Sequence, residues 1–263
     1  MADRRRLRRT FEEVPELYDR ARPLYPAELF DDLVAFAGLE PGSRVLEIGC
    51  GTGQATLPLA ERGLEVVCVE LGAGLAAIAR RRLARFPRVE VVHAVFEDWE
   101  AEEASFDAVV AFTAFHWVDP EAKYAKPACL LRPGGALAVA ETDHVQVEGG
   151  DPFWAEVQAD YDAVVPSDRN RPPPRPEEVG DLRAAIEETG LFGEVEVRRY
   201  LADVTYSADE YVGVLDTYSP NRAMEPAKRD RLFELIRRRV EACPSGTVTK
   251  TYLFTLNLAS RLG

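Results

Sequence analysis

An α/β fold built on a doubly wound, mostly parallel sheet follows from three observations in this sequence. Short apolar runs rich in β-branched residues recur at Val45–Ile48, Val66–Val69, Val89–Val92, Phe106–Phe112 and Ala136–Ala140, with helix-like stretches between them. The first run leads directly into Gly49-Cys50-Gly51-Thr52-Gly53-Gln54, a glycine-rich turn that hands the chain to a helix. The second run ends on a carboxylate, Glu70, the place where nucleotide-binding sheets hold a ribose diol.

The chain has 263 residues, enough for one large α/β domain or a domain with a cap. Its net charge of −13 argues against a nucleic-acid partner, which wants a basic face. Cys50, Cys68, Cys129 and Cys243 form no CxxC pair. Neither a disulfide framework nor a structural zinc site is expected, and a reduced, cytoplasmic setting is. No apolar run approaches about 18 residues, so no membrane span is expected.

At the N-terminus, Arg4, Arg5, Arg6, Arg8 and Arg9 precede Glu12 and Glu13. They read as a solvated segment or as a basic arm for an anionic partner. There is no apolar h-region of a secretory signal. Pro26 suits the first turn of a helix over Ala27–Ala37, with Leu29, Phe30, Leu33, Val34 and Phe36 on its apolar face. Gly38 ends that helix and Pro41-Gly42 turns the chain into the first strand. The helix after the glycine turn spans Gln54 to Arg62; Pro58 kinks it or falls in its first turn. Leu71 to Ala84 forms the next helix, with arginines on its solvated face. His93 follows the third strand without chemistry.

Thr113 to Asp119 lies past the C-terminal end of the fourth strand, where open parallel sheets bind ligands. His116 there is a candidate general base, or a helix-start histidine packed on Trp117. Pro120 opens a helix to Leu131, and Arg132-Pro133-Gly134-Gly135 turns into the fifth strand. Glu141-Thr142-Asp143-His144 follows, making His144 and Asp143 second candidates for acceptor contact, or part of a surface loop.

Asp151 to Val164 reads as a helix. Residues 166–176 are a proline- and arginine-dense loop containing Pro172-Pro173-Pro174. Its Arg169, Arg171 and Arg175 meet an anionic acceptor or are simply solvated. Helices are expected over Glu177–Gly190 and Pro226–Cys243, and another from Ser207, whose spacing to Glu210 is that of a capping box. Val195–Tyr206 and Gly246–Ala259 are the last strands.

The glycine turn does not fit a dinucleotide fingerprint, because the sixth position from Gly49 or Gly51 is Gln54 or Thr56. Glu47, inside the motif, places negative charge where a cationic ligand group is welcome and a phosphate is not. Glu47-Ile48-Gly49-Cys50-Gly51-Thr52-Gly53 with the acidic strand end at Glu70 resembles motifs I and II of the class I S-adenosylmethionine-dependent methyltransferases. Phe96-Glu97-Asp98-Trp99, Phe106–Val110, Phe115-His116-Trp117-Val118-Asp119-Pro120 and Leu131-Arg132-Pro133-Gly134-Gly135 follow in that family's order. The match runs from Tyr18 to Glu141. The Phe-His-Trp segment resembles the methyltransferase type 11, trans-aconitate methyltransferase-like branch.

The resemblance implies a Rossmann-like, seven-stranded sheet closed by an antiparallel C-terminal hairpin. It implies one domain over residues 1–263, with an N-terminal cover at 1–37 and a cap or lid at 145–190. The implied cofactor is S-adenosyl-L-methionine, held by Glu47, Gly49, Gly51, Gly53, Gln54, Glu70, Leu71, Phe96, Glu97 and Thr113. By the same resemblance Tyr18 and Arg22 cover its methionyl end, with Arg22 paired to its carboxylate. Many members have an acid where this chain has Val95, so Phe96, backbone N–H groups and Glu97 are the candidates for adenine.

The reaction implied is in-line displacement of the methyl group onto a small-molecule acceptor, with a carboxylate or hydroxyl oxygen favoured. A carboxylate needs no base, whereas a hydroxyl calls on His116 or His144. No metal cluster is visible in the sequence. Two alternatives remain, a non-catalytic S-adenosylmethionine-binding protein and a nicotinamide oxidoreductase. Oligomeric state is not legible.

Overall fold

A computed structural model describes residues 15–167 and 170–263. The N-terminal arginine cluster and Arg169 lie outside the described residues. In chain order the elements begin with α1 (Pro15–Ala21), α2 (Ala27–Ala37), β1 (Arg44–Ile48), α3 (Thr56–Glu61), β2 (Glu65–Glu70), α4 (Ala73–Leu83), β3 (Val89–His93) and β4 (Phe106–Phe112). A 3-10 turn at Phe115–Trp117 leads to α5 (Pro120–Lys123), α6 (Ala125–Leu130) and β5 (Leu131–Val145). Then come α7 (Phe153–Glu156), α8 (Gln158–Val164), α9 (Arg183–Glu187), β6 (Glu196–Ser207), α10 (Ala208–Asp216), α11 (Ser219–Arg222), α12 (Pro226–Glu241) and β7 (Thr247–Ser260).

The seven strands form one sheet in the order β3-β2-β1-β4-β5-β7-β6. β1 pairs in parallel with β2 and β4, β2 with β3, and β4 with β5. The last two strands form the antiparallel hairpin. The order reverses between β1 and β4, the point at which open parallel sheets bind ligands, at the strand C-termini.

The chain groups into two compact units. One comprises Leu24–Thr142, Asp181–Tyr200 and Phe254–Gly263. Its core packs the inner faces of β1, β2, β4 and β5, including Leu46, Val69, Val109 and Leu137, around Phe96, Phe106 and Phe115. Among the described residues, the other comprises Pro15–Pro23, Asp143–Gly180 and Leu201–Leu253. In it, α10 and α12 bury Tyr211, Val214, Leu215, Leu232 and Ile236. Arg239 on α12 grips both oxygens of Asp160 on α8, at 2.5 and 2.9 Å. Residues 145–190, expected as one insertion, are thus shared between the two units.

Several elements differ from expectation for local reasons. The helix after the glycine turn starts at Thr56 rather than Gln54, because residues 51–55 continue the turn. Pro58 therefore sits in the first helical turn, where its missing N–H costs nothing. The helix expected over Pro120–Leu131 breaks at Tyr124, ahead of Pro127. The fifth strand starts at Leu131 and runs to Val145, so Glu141–His144 are strand residues rather than loop. Its turn-like opening is absorbed by a register shift between Phe106 and Ala108. The helix expected over Glu177–Gly190 shrinks to a 3-10 turn at Pro176–Glu178 and α9, with Gly180 between them. The helix expected over Asp151–Val164 is divided at Val157 into α7 and α8. The capping box forms as expected: Ser207 Oγ accepts the Glu210 N–H and a Glu210 oxygen accepts the Ser207 N–H.

Candidate cofactor site

The glycine turn is shaped by backbone angles that only glycine tolerates well. Gly49, Gly51 and Gly53 have φ of 69°, 57° and 83°. A Cβ on Gly49 would lie 2.7 Å from that of Ala114, so β1 and the segment after β4 approach closely only because the side chain is missing. The turn is tied to β2 by the Gly49 N–H, which donates to the Val69 carbonyl at 2.8 Å.

Glu70 closes the arrangement. It is 7% exposed, and its two oxygens accept the Gly51 N–H at 2.8 Å and the Gly72 N–H at 2.7 Å. The carboxylate at the end of β2 thereby joins the glycine turn to the start of α4. Glu47 lies deeper, at 1% exposure, and accepts the Thr56 hydroxyl at 2.7 Å. Burial pushes its pKa up to about 7; the Thr56 hydrogen bond pulls it down and the Glu70 charge raises it. Two acids therefore share one buried neighbourhood beneath the turn. Gln54 is half-buried in the turn itself.

At the tip of β4, Thr113 adopts a left-handed φ of 53°, rare for a β-branched residue. Its hydroxyl meets the Tyr25 hydroxyl at 2.8 Å and the Thr142 hydroxyl at 2.9 Å. The Tyr25 ring packs edge-on against Phe112 and Phe254. Tyr25 and Thr142 lie in stretches the sequence singles out, ahead of α2 and after the expected end of β5, but neither is a site residue by sequence.

The remaining expected residues divide. Phe96 is 5% exposed and packs in the hydrophobic core. Glu97 accepts the Asp119 N–H at 3.0 Å, ahead of α5. Lys126 donates to the Glu97 carbonyl at 3.0 Å and to that of Trp99, which pins this loop to α6. The Leu71 carbonyl faces His93 Nε2 at 3.0 Å, so His93 clips the segment after β2 in place. His116 is exposed and lies against Trp117, ring centroids 4.8 Å apart.

Tyr18, Arg22 and His144 belong to the other unit. Arg22, just past the end of α1, lies over the Tyr18 and Tyr218 rings, at 5.0 and 4.6 Å, and donates to the Thr217 carbonyl at 3.1 Å. His144 packs edge-on against Trp154 with centroids 4.2 Å apart. Burial, with the charge of Lys250, pushes its pKa down to about 2. It is neutral at physiological pH and a poor proton acceptor.

Among the described residues, no group of three or more His, Cys, Asp or Glu side chains is arranged to hold a metal ion. No described helix is long and apolar enough to cross a membrane.

Comparison with known proteins follows this geometry. Residues 45–135, from β1 through the opening of β5, match a family described as a methyltransferase domain. An uncharacterized methyltransferase of Mycobacterium tuberculosis (strain H37Rv) is 37% identical over 136 residues, 52% of this chain and 53% of the relative. A malonyl-[acyl-carrier protein] O-methyltransferase of Geobacter sulfurreducens is 31% identical over 172 residues, 64% of this chain and 61% of the relative. The chain spans about half the length of the first of these relatives. The solved structure of a proposed type II methyltransferase from Anaeromyxobacter dehalogenans is 27% identical, with a TM-score of 0.65, covering 92% of this chain and 98% of that one.

Proposed function

We propose, from a chain that belongs to the class I S-adenosylmethionine-dependent methyltransferases, that this protein transfers a methyl group from S-adenosyl-L-methionine to a small-molecule acceptor. The observation that carries the reading is Glu70, buried at the end of β2 and bonded to the N–H groups of Gly51 and Gly72. A carboxylate oxygen has a further lone pair beyond each of these bonds, which suits it to a ribose diol. The Glu70 charge also raises the cost of ionising Glu47, which a cationic ligand relieves and a pyrophosphate aggravates. The donor set therefore fits a nucleoside sulfonium better than a dinucleotide.

When bound, the cofactor supplies a sulfonium methyl open to in-line displacement, with a thioether leaving that needs no proton. The protein's part is orientation and exclusion of water. Glu70 and the glycine turn would hold the nucleoside. Thr113, fixed by Tyr25 and Thr142, would face it from the tip of β4 across the switch point. An oxygen acceptor is favoured. A carboxylate arrives ionised, whereas a hydroxyl calls for a base, and of the two histidines only the exposed His116 suits that part.

Names among the relatives include a demethylmenaquinone methyltransferase of Clavibacter sepedonicus and the Geobacter O-methyltransferase. Acceptors that differ over one shared stretch support placing acceptor choice outside residues 45–135. A cytoplasmic setting belongs to the same reading.

The experiment is calorimetric titration of the protein with S-adenosylhomocysteine, with NAD as control. Micromolar binding of the former alone is expected, followed by turnover in a screen that starts with carboxylic acids. Binding of NAD alone overturns the reading in favour of hydride chemistry. Binding of S-adenosylhomocysteine with no turnover across the screen favours a non-catalytic binding protein.

A further inference from the structure

Strand β7 carries a lysine where its neighbours on the same face are Val248 and Tyr252. Lys250 is 2% exposed. Its ammonium donates to the Tyr218 hydroxyl at 2.7 Å and lies 5.2 and 4.7 Å from the ring centres of Tyr218 and Tyr252. Arg22 covers the same Tyr218 ring. Neither cation forms an ion pair with a carboxylate among the described residues. A buried ammonium held by one phenol hydroxyl and two tyrosine rings is costly, because desolvation is offset only where an anion and further hydrogen bonds are supplied.

Other polar atoms in this unit are also unanswered. Arg22 Nε, His144 Nε2 and Ser219 Oγ are buried without a hydrogen-bond partner, and Ser219 follows Tyr218 directly. Lys250 lowers the proton affinity of His144, so its field reaches that ring. Burial raises the Tyr218 phenol, but Lys250 and Arg22 outweigh it and hold the group below its ordinary value. Even a fully ionised Tyr218 balances only one of the two cations. The surroundings are aromatic: the Tyr206 and Tyr252 hydroxyls meet at 3.0 Å, and Trp154 packs edge-on against Tyr211 at 5.4 Å.

We propose that Lys250, Tyr218 and Arg22 form a binding site for an organic carboxylate with a flat, apolar body. An ammonium has three donors, and Tyr218 uses one, which leaves two for a carboxylate oxygen. Arg22 supplies the second positive charge, and the tyrosines and Trp154 suit an aromatic body. The anion site does not rest on the methyltransferase reading. The held carboxylate is a recognition group, its lone pairs engaged by the cations.

The test uses the full chain, benzoate as probe, and benzamide and inorganic phosphate as controls, with thermal unfolding and calorimetry as readouts. Millimolar benzoate is expected to raise the wild-type Tm while benzamide and phosphate do not. Lys250→Met, which replaces an unpaired buried cation with an apolar side chain of similar length, is expected to raise the Tm without ligand and to weaken benzoate at least about tenfold. Tyr218→Phe is expected to weaken benzoate several-fold with the fold kept. S-adenosylhomocysteine affinity should be unchanged in Lys250→Met; a wild type that binds benzoate but no S-adenosylhomocysteine counts against the methyltransferase reading alone. Equal effects of benzoate and benzamide, no effect of benzoate, or benzoate binding unchanged in both variants overturns the site. Phosphate binding as well as benzoate overturns the organic carboxylate. A Lys250→Met protein that is less stable than wild type without ligand shows the charge already satisfied and overturns the proposal.

Discussion

Glu70 accepts the Gly51 N–H at 2.8 Å, so the end of one strand holds the turn that leaves its neighbour. The bond stiffens the glycine turn before any ligand arrives. It also places a carboxylate where a nucleoside would need one. Replacing Glu70 with Ala removes both effects. Affinity for S-adenosylhomocysteine should fall at least about tenfold, or roughly 1.4 kcal/mol for a lost charged hydrogen bond. Calorimetric titration checks this, and unchanged affinity would exclude Glu70 from the cofactor site.

Glu47 predicts a pH dependence. Its folded pKa is raised to about 7 from 4.5, chiefly by burial. A raised acid pKa means the folded state binds the proton more tightly than the unfolded chain. Its contribution is therefore fully present below the unfolded value and is lost as pH rises through about 7. Glu47→Gln cannot ionise and keeps an acceptor for Thr56. The variant should gain stability over wild type progressively between those two values, and urea denaturation across that range measures the difference. A constant difference would show that Glu47 does not titrate there.

Gly49→Ala should be among the most damaging single methyl additions in this chain. The position has φ of 69°, and the new Cβ would lie 2.7 Å from the Cβ of Ala114. Left-handed strain of about 1 kcal/mol adds to overpacking of about 1–3 kcal/mol. A fall of roughly 2–4 kcal/mol in unfolding free energy is the sum of those two terms. Gly134→Ala, which meets nothing within 4 Å although its φ is 75°, isolates the backbone part.

Tyr25→Phe keeps the packing on Phe112 and Phe254 but removes the hydroxyl that meets Thr113. The expected cost is about 1 kcal/mol. A double-mutant cycle with Thr113→Val should show coupling of at least about 0.5 kcal/mol. Zero coupling would mean that the two hydroxyls are held independently.

The cofactor half of the protein was legible because its signals are local. Positive φ at Gly49, Gly51 and Gly53 demands glycine, and a strand buried on both faces demands an apolar run, so both requirements are written in adjacent residues. Other features were hidden because their partners are distant in the chain. Tyr25 and Thr113 meet across 88 residues, and Phe96 packs into a core assembled from strands distant in the chain. His144 read as an exposed candidate base until β5 proved long enough to carry it against Trp154.

Local rules of backbone geometry and hydrophobic period determined the sheet, the glycine turn, the acidic strand end and hence the family. Only the tertiary structure decided which charges lose their water. The lysine at 250 is an ordinary letter in an alternating strand. Packing of β7 against Tyr218 and Tyr252 makes it a buried cation, because desolvation depends on everything that surrounds a group and not on its neighbours in sequence.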